Sequence, residues 1–226
     1  MNKVIRAEFG RTINAGLIIA IAGIIFSICF DSFNDLIAGL RNGQGYVGYF
    51  FSNAAFGGMC THYMLPVFTA LPFSVSLCQE RNNKAVSYIV SREGKNRYIF
   101  AKFIVSAISG GFVAACGTVL LFLMLAMRFP IAGDEFEGAV VSDYFHEWSA
   151  VYYPQLYILT LSILAFCRGV IWSSLALCVS LYTSDFMVVL LSPFLGSYVL
   201  VRIFQIIRVP DMVRPDMILI GQVVIK

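Results

Sequence analysis

From Phe103 to Met127 the chain carries no charged side chain. A helix rises ~1.5 Å per residue and the hydrocarbon of a bilayer is ~30 Å thick, so about 20 apolar residues cross it. This stretch is long enough, and it is not alone. Similar stretches occupy 15–30, 59–77, 153–182 and 186–204. Hydrophobic residues make up 59% of the 226 residues, charged residues only 13%, and the mean hydropathy is +0.80. A soluble fold of this size cannot hide so much apolar surface. The composition therefore predicts an all-α, polytopic membrane helical bundle with five spans, forming a single domain over 1–226. A formal charge of +3 is too small to point to nucleic acid.

The position of the charges predicts orientation. Nine of the sixteen basic residues fall in two segments: Lys3, Arg6 and Arg11 before the first span, and Arg81, Lys84, Arg92, Lys95, Arg97 and Lys102 between the second and third. The loops between them in the alternation are acidic, with Asp31 and Asp35 in one and Asp134, Glu135, Glu137, Asp143 and Glu147 in the other. Basic loops stay in the cytoplasm, which places the amino terminus inside. Ile5, Phe9 and Ile13 recur every four residues among the first basic residues. That spacing suits a short amphipathic helix lying in the membrane interface, and equally an ordinary basic flank. Five spans leave the carboxyl end outside, in the stretch Met217 to Ile225, which is too short to cross. Either this stretch is a surface helix, or the sequence is a fragment with a sixth span beyond Lys226, and the fragment is expected.

Catalytic and cofactor motifs are missing. No G-x-x-x-x-G-K-[ST] phosphate loop, HExxH or GxSxG occurs. No predicted span contains Asp or Glu, which argues against a proton-driven carrier. The six cysteines form no CxxC pair, and there are only two histidines, His62 and His146, so neither a metal site nor a cofactor is expected. The chain is not expected to be an enzyme. Arg168 is the one charge deep in a span. It either lines a translocation path or bonds backbone carbonyls at a helix break. Ser106, Gly110 and Ala114 are spaced for close helix approach, within the chain or between subunits.

The segment Glu80 to Lys102 is the most organised polar stretch. Ala85, Tyr88 and Ile89 space an apolar face among polar residues, and Gly94 is available for a turn that other residues resist. The order is an acidic residue at the end of span two, a short helix, Ser91-Arg92, then Arg97-Tyr98-Ile99-Phe100-Ala101-Lys102 entering span three. This resembles the membrane subunit of a type-2 ABC exporter, of the bacteriocin-immunity and drug-efflux kind. The likeness by residue pattern covers about 73–102.

The resemblance implies a six-span permease of the cytoplasmic membrane that pairs with a second permease copy and is powered by separate ATP-binding subunits. Glu80, Arg81, Lys84, Tyr88 and Arg92 would couple to the ATPase subunit, Arg97 and Lys102 would anchor the chain at the membrane surface, and Arg168 is a candidate for the translocation path. Substrates would be peptidic or amphipathic. From the residues alone, a non-transporting membrane scaffold or immunity protein stays open.

Overall fold

The computed structural model describes residues 9–10, 15–42, 47, 50, 58–73, 76–83, 86, 88, 90–91, 94–130, 153–209 and 214. These residues contain helices and no strand. In chain order the helices are α1 (Ala15–Asp31), α2 (Phe33–Asn42), α3 (Met59–Ala70), α4 (Ser76–Asn82), α5 (Lys95–Ala126), α6 (Pro154–Ser180) and α7 (Phe186–Ile207).

Three of them, α5, α6 and α7, are long and apolar enough to cross a membrane. A fourth crossing is available if α1 and α2 form one broken span, bent by 72°. The five predicted spans are thus met by three helices or four. The second one shows why. The sequence suggests one helix over 59–77, but α3 ends at Ala70 after 12 residues, about 18 Å. Residues 71–73 form a turn and α4 begins at Ser76. Pro72 has no N–H to offer the carbonyl of Phe68, which instead accepts from the Leu71 N–H at 3.3 Å.

The helices pack as bilayer helices do. The most extensive contact is between α5 and α6. A Cβ on Gly169 would lie 2.4 Å from the Gly110 carbonyl oxygen, so the two backbones touch there. Of the two readings of the small residues in the third span, the structure shows packing within the chain. Short α3 touches α1, α5, α6 and α7, and it is the hub of the bundle. Helix α7 lies outermost. Only 17% of its most apolar window is buried, against 56% for α5, and Met187, Leu191, Leu195 and Ile206 face away from the protein. Apolar side chains turned outward along a span fit a membrane protein.

The predicted amino-terminal interfacial helix, the acidic loop from Asp134 to Glu147 and the stretch after Met217 lie outside the described residues, apart from Phe9 and Gly10, which are helical.

Candidate functional site: the α4 clamp

Helix α4 is seven residues long and polar at its end, SLCQERN. An isolated helix that short is unstable in water. It is held by its neighbours. Glu80 accepts a hydrogen bond from Lys102 Nζ at 2.8 Å and another from the Tyr98 hydroxyl, both on α5. The Lys102 side chain is only 1% exposed. Its ammonium also lies 4.8 Å from the centre of the Phe73 ring, within range of a cation–π attraction.

The next residues grip the far side. Arg81 Nη1 donates to the carbonyls of Ser180 (3.0 Å) and Leu181 (3.1 Å) at the carboxyl end of α6. Those carbonyls have no partner further along the helix, and the negative end of the helix dipole favours a cation. Asn82 donates to the Ser184 carbonyl at 3.4 Å, and the Cys78 thiol to that of Thr183 at 3.6 Å. Asp185 then opens α7, accepting from the Met187 N–H at 2.9 Å. One short helix is thereby fastened to α5 by charge and to the α6–α7 turn by backbone acceptors.

The chain after α4 returns over this clamp. Val86, Tyr88, Val90 and Ser91 are helical. Val86 and Val90, one turn apart, pack on a small core of Leu77, Tyr98 and Leu177. Of the apolar face expected from Ala85, Tyr88 and Ile89, Ala85 and Ile89 lie outside the described residues; Tyr88 is 79% exposed, and the valines point inward. Residues four apart share a helix face, and Tyr88 sits half a turn from both valines. Gly94 has φ +85°, a conformation that side chains other than glycine's resist, and it starts α5. Between this segment and α5 runs a groove of about 610 Å³.

The expected site residues therefore separate. Glu80 and Arg81 form the clamp. Tyr88 and Arg97 are exposed. Lys102, expected at the membrane surface, turns inward to Glu80, because a buried ammonium needs an anion close by. Lys84 and Arg92 lie outside the described residues.

Arg168 sits elsewhere, about 18 Å along α6 from Ser180. It is 8% exposed, and Nη2 donates to the carbonyls of His62 (3.2 Å) and Thr61 (3.3 Å) in the first turn of α3. Pro66 explains the pairing. It has no N–H, so the His62 carbonyl four residues earlier loses its helical partner. The break served by Arg168 thus lies in α3, while α6 runs unbroken past Gly169. Pro193 in α7 has a cheaper remedy: the freed Val189 carbonyl accepts from the Ser192 hydroxyl at 2.8 Å. Asp31 completes this end of the bundle. Its carboxylate accepts from the backbone N–H groups of Cys60 (3.1 Å) and Thr61, capping α3 from the end of α1. Local sequence gave no sign of this role, since the two partners are about 30 residues apart.

Among the described residues no group of three potential metal ligands comes together. Comparison with protein-family models, curated proteins and solved structures finds no match to this chain.

Proposed function

We propose that the chain is the membrane-spanning subunit of an ABC exporter, working in the cytoplasmic membrane with a second permease copy and separate ATP-binding subunits. The observation that carries this reading is the α4 clamp. A device that converts docking of a motor into rearrangement of the spans needs a small surface element tied rigidly to several long helices. Helix α4 has that property, being joined to α5 by Glu80 and to the α6–α7 turn by Arg81, Asn82 and Cys78. The following segment presents Tyr88 outward as a contact, and exposed aromatics are favoured anchors at interfaces.

In this mechanism no bond is made or broken by the chain itself. ATP binding between the partner subunits draws the docked segments together, and the clamp passes that displacement to α5, α6 and α7. The equilibrium between two arrangements of the spans moves only by the difference in docking free energy between them. The substrate is a peptidic or amphipathic molecule, in keeping with the 20 phenylalanines and 11 tyrosines of the chain.

Purification tests this reading. A tagged chain extracted from its native membrane should bring down an ATP-binding subunit. Tyr88→Ala should reduce that recovery by about tenfold or more, the effect of one interfacial hot spot, without changing the amount or Tm of the chain. Recovery of no ATP-binding subunit would favour the scaffold reading, and unchanged recovery with Tyr88→Ala would remove this residue from the docking surface.

A further inference from the structure

The groove between the α4–α5 segment and the bundle has walls of two chemical kinds. Leu77, Val86, Val90, Ile99 and Leu181 make it apolar. Arg81 and Lys95 add two cations, and no acid is found among its described lining residues. Its volume, about 610 Å³, lies within the ~300–1,000 Å³ of small-molecule sites. Arg81 uses only Nη1 on the α6 carbonyls, which leaves Nε and Nη2 without a partner among the described residues. Lys95 is exposed in the first turn of α5.

Depth in the membrane selects the ligand. Helix α5 starts with Lys95, Asn96 and Arg97, all exposed, and then turns Phe100 and Phe103 outward. Cations followed within two turns by outward phenylalanines mark the boundary between headgroups and hydrocarbon. The groove opens at that boundary. A molecule with an anionic head and an apolar tail is already present there at high concentration. We infer that the groove holds one anionic phospholipid, its phosphate on Arg81 and Lys95 and an acyl chain along Val86, Val90 and Ile99. The site goes beyond the proposed transport activity and does not depend on it. A lipid there would join the α4–α5 segment to the bundle beside the small core on which Val86 and Val90 pack.

Native mass spectrometry of the purified full-length chain tests this. The chain in mild detergent is mixed with equal amounts of phosphatidylglycerol and phosphatidylcholine bearing the same acyl chains. One phosphatidylglycerol should be retained in preference to phosphatidylcholine. Lys95→Gln should lower its retention about fivefold, the effect of one interfacial cation. Val90→Trp, which fills the groove, should lower it as well, while Arg202→Gln on α7 should not. Lys95 is exposed, so its replacement leaves folding intact, and Tm verifies this for both groove variants. Equal retention of the two lipids, undiminished retention in Lys95→Gln, or an equal loss in Arg202→Gln would overturn the assignment.

Discussion

Glu80→Gln is expected to lower the stability of the detergent-solubilised chain by about 3–5 kcal/mol, the usual effect of breaking a buried ion pair from one side. The glutamine has the same shape, so packing is preserved and the change isolates the charge. What is lost is the carboxylate that the 1%-exposed Lys102 ammonium donates to. The rings of Phe73 and Tyr98 stay near that ammonium, at 4.8 and 5.7 Å from their centres, and offset a part of the loss. The double variant Glu80→Gln, Lys102→Met should recover much of the stability, because it removes the buried cation too. Thermal denaturation of the two single variants and the double variant measures this coupling. A Tm unchanged in Glu80→Gln would mean that Glu80 and Lys102 do not hold α4 to α5.

The second large effect is at Arg168. Arg168→Met should cost about 1–3 kcal/mol, the cost of leaving buried acceptors unpaired. The sharper expectation concerns Pro66. Pro66→Ala restores an N–H four residues after His62, and α3 can then bond the carbonyl that Arg168 now serves. In the Pro66→Ala background, Arg168→Met should therefore cost measurably less than it does alone. Equal costs in both backgrounds would show that the arginine and the proline are independent. The bonding of Arg168 to backbone oxygens gives this charge a structural duty whatever else it contacts.

The helical class and the apolar character of the spans were legible in the residues, and so was a close helix approach at the small residues of α5, though not its partner α6. Uncharged stretches and small residues four apart are local signals, and lipid leaves few alternatives to a helix. The break in the second span was written there too, in Pro66 and Pro72, but a proline inside a span is tolerated or disruptive according to its neighbours. Pro66 is absorbed because Arg168 reaches it from another helix, while Pro72 ends α3. The clamp was partly legible. Glu80 and the cations after it stood out by type, yet their partners did not. Lys102 reads as an interfacial anchor from its place at the start of a span, and only the fold shows that it faces a carboxylate 22 positions earlier. Tyr88 read as a docking contact through the resemblance, and the fold leaves it 79% exposed. The inward face of that segment is carried by Val86 and Val90, with Leu77, Tyr98 and Leu177 beneath them.

Side-specific labelling at position 88 tests the docking account most directly. Tyr88→Cys is placed in a chain whose six native cysteines are replaced, and a membrane-impermeant maleimide is added to intact cells or to inside-out vesicles. The thiol should react only in the inside-out vesicles, and washing off peripheral ATP-binding subunits should speed its reaction. Labelling at position 88 in intact cells would put the α4–α5 segment on the outer face, where no ATP-driven partner could grip it.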